Sequence, residues 1–367
     1  MLRRLDSTQL LLTLFKPLIR SRQPADVARR AFKKILVIRQ HDQLGDMLCA
    51  VPLLRSLRHR YPGARIALMT SPVNHEAMLH NPYVDRVINY DKTELVSRFF
   101  LRPARVLKLI RELRKEKFEL TIVPSTVSTS ATSDLLAYLS GAPYRMGAEQ
   151  IDGIENPSAA FFNCPVSLSW KEDPHRHQAL RNLDIARSLD LSLGDLSSEI
   201  GLTGQEVGEA KWFLSRVGMT GSFIAYHPGA GKPPNRWPAE RFAGVANALT
   251  NEFKLGVLIT YGPMDSEPVR IMESRLAGSY VVVERKSIRE VAAILSLACL
   301  AISNDTGIMH VAAAARTPVL SLFGSTDPEQ WAPIGRGNRY IQGRGGDIGN
   351  ITVDDVLVVA RTMLDKL

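Results

Sequence analysis

A strand-then-helix pattern that begins at Lys33 and starts again at Phe223 is the feature that most constrains the fold. KKILVIR, at 33–39, is a basic start followed by a short apolar run, which is typical of a strand buried on both faces. Similar runs alternate with helical segments through both halves of the chain. This alternation predicts parallel, doubly wound sheets, and 367 residues are too many for one ordinary core. We therefore expect two Rossmann-like α/β domains.

The pattern divides the chain into five segments. They are a basic amphipathic segment (1–32), a first Rossmann-like domain (33–175), a helical linker (176–220), a second Rossmann-like domain (221–350) and a terminal helix (351–367). Residues 147–175 show no clear period and are predicted to be loop, whereas Thr352 and Asp355 have capping-box spacing. Ligands of open α/β sheets lie beyond the carboxyl ends of the strands, so two domains facing each other would place an active site in the cleft between them.

The positive charge is concentrated at the start of the chain. The formal net charge is +9, and residues 1–40 hold ten Lys or Arg against two Asp. The remainder is nearly neutral, so we expect no nucleic-acid partner. Apolar residues recur at helical spacing over 11–18, and this leaves two interpretations of residues 1–30. They form either a peripheral helix on an anionic membrane or a helix packed on the protein body or on a partner.

Three cysteines, Cys49, Cys164 and Cys299, lie far apart without paired spacing. This distribution argues against a disulfide framework and against a Cys-rich metal site. We expect no metal, no cofactor and a reducing, cytoplasmic location.

The stretch SNDTGIMHVAAAARTPVLSLFGSTDPEQW, at 303–331, joins a strand to a helix. Asn304 and Asp305 are good helix N-caps, and Thr306 with Gly307 opens a helix whose free N–H groups would attract a diphosphate. His310 lies one turn further on. The alternative is an ordinary capped helix with a buried histidine.

A second loop, HPGAGKPPNRWPAERF at 227–242, also follows a strand. Its glycines and its two cations, Lys232 and Arg236, are typical of a loop that binds phosphate oxygens. A solvated loop with Trp237 packed in the core is the other interpretation.

A third stretch, RQHDQLGDMLCAVPLLRSL at 39–57, runs from a strand through a polar turn into a helix predicted over 47–61. Asp46 is either an N-cap or a carboxylate that acts as a general base. The turn contains no GxGxxG motif, which argues against a dinucleotide dehydrogenase, and a Walker A loop is also absent.

These stretches, in this order, together with SGAPYRMG at 140–147, resemble the lipopolysaccharide heptosyltransferases, glycosyltransferase family 9. The resemblance covers nearly the whole chain after residue 32. It implies the two-domain GT-B fold and an inverting transfer of heptose from ADP-heptose to a hydroxyl of the lipopolysaccharide inner core. The acceptor would be an anionic glycolipid at the inner face of the bacterial inner membrane, which the segment 1–30 would contact.

The resemblance also implies roles for individual residues. Asp46 would be the general base, and Ala230, Gly231 and Lys232 would border the phosphates. Asp305, Thr306, Gly307 and His310 would line the donor site around the diphosphate and sugar. Either Asp265 or Glu267 would bind the ribose.

One position departs from the family pattern. Family members often have a Lys directly before the Arg/His-Trp-Pro segment, where this chain has Asn235. Lys232 or Arg236 would then supply the charge; otherwise the leaving group is less stabilised or the donor differs. Three alternatives stay open: a transferase of the same fold with another donor such as an N-acetylhexosamine nucleotide, a nucleotide-sugar epimerase, and a non-catalytic scaffold.

Overall fold

The computed structural model describes residues 27–92, 103–262 and 264–366. Those residues form two compact units, one ending at Asp195 and the other beginning at Leu196. The predicted amphipathic helix around residues 11–18 lies outside the described residues. Among the residues that are described, no helix combines the length and the apolarity needed to cross a bilayer.

The first unit is built on a mostly parallel sheet. Its strands are β1 (Lys34–Arg39), β2 (Arg65–Thr70), β3 (Arg86–Asn89), β4 (Leu120–Ile122), β5 (Tyr144–Ile151), β6 (Ile154–Glu155) and β7 (Cys164–Leu168). Its helices are α1 (Leu44–Leu48), α2 (Val51–Arg60), α3 (Pro72–Met78), α4 (Pro103–Glu116), α5 (Ala131–Leu139) and α6 (Gln178–Asp184). The order across the sheet is β3-β2-β1-β4-β5, and β5 also pairs with β6 and β7. Strand β1 lies in the middle and is buried almost throughout, as its apolar sequence predicts.

The second unit repeats this plan. Its strands are β8 (Phe223–His227), β9 (Gly256–Thr260), β10 (Tyr280–Val283), β11 (Leu300–Asn304), β12 (Val319–Phe323) and β13 (Arg339–Gln342). Its helices are α7 (Gly204–Arg216), α8 (Ala239–Phe253), α9 (Ser266–Glu273), α10 (Ile288–Leu295), α11 (Gly307–Ala314), α12 (Pro328–Trp331) and α13 (Val353–Leu364). The strands run parallel in the order β10-β9-β8-β11-β12-β13. Two parallel α/β sheets, as predicted, are therefore present.

Local signals at helix ends agree with the structure where the partners are close in sequence. The Thr352 hydroxyl accepts from the Asp355 N–H at 3.1 Å, and the Asp355 carboxylate accepts from the Thr352 N–H at 2.9 Å. The predicted capping box at the start of α13 is confirmed.

The prediction of one helix over 47–61 is wrong. The chain instead forms α1 and α2 with a break at Cys49 and Ala50. Pro52, the second residue of α2, lacks the N–H that a continuous helix would need there. The break places Asp46 inside a short helix of its own.

The prediction of loop over 147–175 is also wrong in part. The stretch contains the end of β5 together with β6 and β7. Strand β7 pairs with β5 alone and carries Pro165, a residue that strands accept at a sheet edge. Gly147 lets the Phe162 ring lie against β5, because a Cβ there would be only 2.1 Å from the ring. A short edge strand next to a glycine has little periodicity to detect.

The segment 176–220, predicted as a helical linker, contributes to both units. Helix α6 packs on α2 of the first unit, whereas α7 packs on α10 of the second. The division between the units therefore falls within this segment. The other predicted boundaries stay predictions.

Helix α5 of the first unit carries a buried carboxylate. Asp134, in the first turn of α5, accepts hydrogen bonds on Oδ2 from Asn156 Nδ2 at 2.9 Å and from Ser158 Oγ at 2.5 Å. Burial raises the pKa of Asp134 to about 7, and the two hydrogen bonds oppose that rise. The folded protein therefore binds this proton more tightly than the unfolded chain does.

We expect Asp134→Asn to change the pH dependence of stability. The wild-type carboxyl titrates near 3.8 when unfolded and near 7 when folded, so its stabilising proton is fully present below pH 4 and lost as pH rises through 7. The variant keeps an acceptor oxygen without a charge. Its free energy of unfolding should therefore rise relative to that of the wild type, by up to roughly 1.4 kcal/mol per pH unit between about pH 4 and 7. Urea unfolding between pH 4 and 8 measures this. A difference that is constant with pH would contradict the expectation.

Candidate functional site

The candidate donor-binding loops leave the second sheet side by side. Strands β8 and β11 are parallel neighbours, with Ser303 opposite His227 in register. The loop after β8 and the loop after β11 therefore emerge at the same carboxyl edge. This is the edge at which open α/β sheets bind ligands.

The Asn304 side chain joins these two loops. It is fully buried, and its Nδ2 donates to the carbonyls of Pro228 at 2.9 Å and Gly229 at 3.1 Å. Its Oδ1 accepts from the Trp237 N–H at 3.1 Å. One amide thus fixes both ends of the loop between Gly229 and Trp237.

The prediction that Asn304 and Asp305 cap the following helix is wrong. The N-cap of α11 is Thr306, and no side chain caps the helix there. The Asn304 side chain donates to the loop after β8 instead, and the Asp305 carboxylate accepts from Asn235. The first N–H groups of an α-helix have no partner within the helix, so the start of α11 keeps the donors that an anion requires.

Asp305 is the centre of a second set of contacts. Its Oδ2 accepts from Asn235 Nδ2 at 2.9 Å, and the same Nδ2 lies 3.4 Å from Thr326 Oγ1. Burial raises the pKa of Asp305, while a hydrogen bond from Thr326 and the charge of Lys232 oppose the rise. Asn235 is therefore a neutral donor to this carboxylate.

The two cations of the glycine loop have different surroundings. Arg236 Nε donates to the Ala230 carbonyl at 2.8 Å and so closes the loop on itself. Ala230 is buried, whereas Gly231 and Lys232 are exposed. Within the described part of the chain, Lys232 forms no salt bridge, yet its charge is felt at Asp305. Lys232 is thus the cation of this loop that a phosphate can reach without breaking a contact.

Of the two candidate ribose ligands, Asp265 is buried and Glu267 is exposed to solvent. Asp265 Oδ2 accepts from the Gly262 N–H at 2.8 Å and lies 3.6 Å from His227 Nε2. Burial lowers the pKa of His227, whose Nδ1 is 2.9 Å from Thr260 Oγ1. A Cβ on Gly229 would lie 1.9 Å from Asp265 Oδ1, so glycine is needed for the loop to pass this carboxylate.

The remaining donor-site candidates lie at the start of α11. Thr306 Oγ1 is 3.5 Å from Ser303 Oγ, and Gly307 is the first helical residue. His310 follows one turn later and is buried. In the described ranges, no three His, Cys, Asp or Glu side chains lie close enough together to hold a metal ion.

The first unit carries Asp46 at the corresponding edge of its own sheet. Asp46 Oδ1 accepts from Arg39 Nη2 at 2.9 Å, and both side chains are almost fully buried. Arg39 also donates to the Pro124 carbonyl at 2.7 Å and to Thr126 Oγ1 at 3.3 Å. Burial raises the pKa of Asp46, and the charge of Arg39 opposes that rise.

Arg39 is a site residue that we did not predict from the sequence. The available signal was a charged residue at the end of the apolar run ILVI, at 35–38. A charge at the end of a buried strand requires a buried partner, and the carboxylate seven residues later provides it.

Comparison with known proteins identifies the family. Residues 106–345 match the model of Glycosyltransferase family 9 (heptosyltransferase). The chain is 26% identical to lipopolysaccharide heptosyltransferase 3 of Escherichia coli K12 over 305 residues, which are 79% of this chain and 82% of that protein.

Two solved structures show the same fold. The family 9 glycosyltransferase of Veillonella parvula aligns with a TM-score of 0.79 at 22% identity, over 94% of this chain and all of that one. The E. coli heptosyltransferase WaaC with ADP aligns with a TM-score of 0.70 at 19% identity, over 90% and 99% of the two chains. The predicted GT-B fold class is confirmed. The chain belongs to glycosyltransferase family 9, the heptosyltransferases, and is a glycosyltransferase whose family-level function is lipopolysaccharide heptose transfer.

Proposed function

We propose that this enzyme transfers heptose from ADP-heptose, with inversion, to a hydroxyl of the lipopolysaccharide inner core. The observation that carries the proposal is the convergence of Lys232, Asp305 and the start of α11 at one edge of the second sheet. A cation and a helix N-terminus beside a buried carboxylate suit a diphosphate joined to a polyhydroxy sugar. The E. coli heptosyltransferase of the same fold carries ADP in its solved structure, which supports the choice of nucleotide.

The donor site in this proposal uses each of the predicted residues. Lys232 and the N–H groups around Thr306 and Gly307 stabilise the charge that grows on the departing diphosphate. Ala230 and Gly231 border the phosphates, and Arg236 holds their loop in shape through Ala230. Asp305 accepts from a sugar hydroxyl, His310 lines the donor site from the first turns of α11, and neither a metal nor a cofactor has to take part.

The ribose ligand in this proposal is Glu267. It lies in the first turn of α9 with an exposed side chain, whereas the Asp265 carboxylate is occupied by Gly262. Asp265 then has an indirect role. It lies beside His227 and against Gly229, and so fixes the start of the loop that follows β8.

Asp46 is the proposed general base. It removes the proton of the acceptor hydroxyl as that oxygen attacks the anomeric carbon from the face opposite the nucleotide, through an oxocarbenium-like transition state. Burial raises the pKa of this carboxylate, and the charge of Arg39 opposes that rise by favouring the ionised form. Both properties serve a base that works near neutral pH.

The proposed acceptor is an anionic glycolipid, and the proposed location is the cytoplasm at the inner face of the bacterial inner membrane. Residues 1–30, with their excess of Lys and Arg, suit peripheral contact with that surface.

Asn235 favours one alternative within the same fold. A neutral side chain bonded to Asp305 stands where family members often have a lysine, so less positive charge faces the diphosphate. A donor with another sugar, such as an N-acetylhexosamine nucleotide, is the second candidate function.

Calorimetric titration with ADP, UDP, GDP and ADP-heptose separates these functions. We expect ADP and ADP-heptose to bind most tightly, and Asp305→Ala to weaken ADP-heptose more than ADP, because the carboxylate contacts the sugar. Preference for a uridine or guanosine nucleotide would overturn the heptose donor. Binding of none of these nucleotides would contradict both the heptose donor and the second candidate donor.

Replacing Asp46 by Asn tests the general base. The amide oxygen still accepts from Arg39, so the fold should survive, while kcat should fall by about 10²–10⁴-fold because no base remains. Initial rates with saturating donor and acceptor measure this. Asp354→Asn, an exposed change in α13, is the matched control and should keep full activity. Full activity of a folded Asp46→Asn enzyme would rule out the assignment.

Replacing Arg39 tests its role as the residue that positions Asp46. In Arg39→Gln the carboxylate loses its cation, so its pKa should rise and the acid limb of the kcat/KM profile should move to higher pH. Arg39→Lys should bring that limb back toward the wild-type position. A residue with a merely structural role would lower stability in both variants and leave the pH profile of the remaining activity unmoved.

A further inference from the structure

Helix α4 of the first unit presents a row of cations to solvent. Its inner face is Val106 and Leu113, which are buried in the core of the unit. On the opposite face, Lys108, Arg111 and Lys115 follow one another at helical spacing and are exposed. We call these three side chains the α4 ridge. The helix has 14 residues and so extends about 21 Å along the surface.

The α4 ridge keeps a net positive charge beside the acids of its own helix. Among the described residues, none of the three cations forms a salt bridge. Glu116, at the end of the helix, is held by Arg86 at 2.5 Å and by Arg65 at 3.5 Å. Glu112 is the other acid of the helix and lies to one side of the ridge. Glu112 is exposed and is a helical neighbour of Lys108 and Lys115, so this face carries one acid beside the three cations and keeps a net positive charge.

An apolar side chain accompanies these cations. Leu107 is 55% exposed and lies on the flank of the ridge shared with Arg111 and Arg114. Arg114 is partly tied down, since its Nε donates to the Leu139 carbonyl at 3.3 Å. The surface therefore offers long cationic side chains around one exposed leucine.

We propose that the α4 ridge docks the first unit on an anionic phospholipid bilayer. Lys and Arg bind lipid phosphates while a leucine between them enters the interface, which is the pattern of peripheral membrane helices. A nucleic acid fits less well, because the exposed residues of α4 include no aromatic ring for stacking bases. The inference rests on the proposed function in one respect: a lipid-linked acceptor requires the enzyme to reach a membrane. It names residues of α4 that the proposed function does not use.

Vesicle co-sedimentation of the full-length protein tests this docking surface. The vesicles are phosphatidylcholine alone or with about a third of phosphatidylglycerol. The variant is Lys108→Gln/Arg111→Gln/Lys115→Gln, which keeps good helix formers. Each cation near such a surface changes partitioning by about fivefold, so the triple change should weaken binding to the anionic vesicles on the order of 100-fold.

A second triple variant controls for net charge. Lys211→Gln/Arg275→Gln/Arg336→Gln removes the same number of exposed cations from the second unit, so both variants carry +6 instead of +9. The control should bind anionic vesicles within about threefold of the wild type. Leu107→Gln should weaken binding with the ridge charges intact.

Three results would overturn the inference. They are equal losses in both triple variants, unchanged binding in the ridge variant, and displacement of the wild-type protein from vesicles by an equal charge concentration of RNA duplex. None of these measurements uses donor, acceptor or turnover. Failure of the ridge would therefore leave the proposed reaction standing, and failure of the heptose assignment would leave the vesicle result standing.

Discussion

The edge of the second unit that carries the proposed donor site depends on one buried amide. Asn304 ends β11, and its side chain satisfies two carbonyls of the neighbouring loop and the Trp237 N–H. Without it these three backbone groups would be buried without partners, at about 1–3 kcal/mol each. Trp237 in turn is packed in the core and donates to the Ile351 carbonyl at 2.9 Å. The position of the loop between Gly229 and Trp237 therefore follows from the hydrophobic core by way of a single side chain.

In the first unit, a buried ion pair holds the corresponding edge of the sheet, and burying two charges costs more free energy than burying an amide. Arg39 and Asp46 give up hydration, and a buried pair of this kind is often no more stable than apolar residues of the same size. Arg39 recovers part of that cost through Pro124 and Thr126. Such an arrangement adds little to the stability of the fold, but it sets two opposing influences, burial and the charge of Arg39, on the pKa of Asp46. That is the arrangement the proposed general base requires, whereas the proposed donor site requires mainly a fixed backbone.

The sequence predicted what depends on neighbours along the chain and missed what depends on distant ones. The alternation of strands and helices and the Thr352 capping box involve residues a few positions apart. Asn304 was taken for a helix cap because its partners at 228 and 229 lie about 75 positions away. Arg39 was overlooked although its partner Asp46 is only seven positions away, whereas its contacts with Pro124 and Thr126 span 85 and 87 positions. The strands within 147–175 were missed because β7 gains its stability from pairing with β5 and from Phe162 against Gly147.

The Asn235 substitution changes where charge is available and leaves the architecture intact. A lysine at 235 would face Asp305 directly and form an ion pair with it, since the present amide already lies 2.9 Å from that carboxylate. Asparagine leaves Asp305 with a neutral partner, so the negative charge that burial disfavours is balanced by the hydrogen bond from Thr326 and by the charge of Lys232. When a diphosphate enters, it competes with Asp305 for that same cation. In the proposed mechanism, Lys232 and the N–H groups at the start of α11 then stabilise the negative charge of the leaving diphosphate. A hydroxyl of the sugar donates to Asp305 and takes the place of Lys232 as its partner.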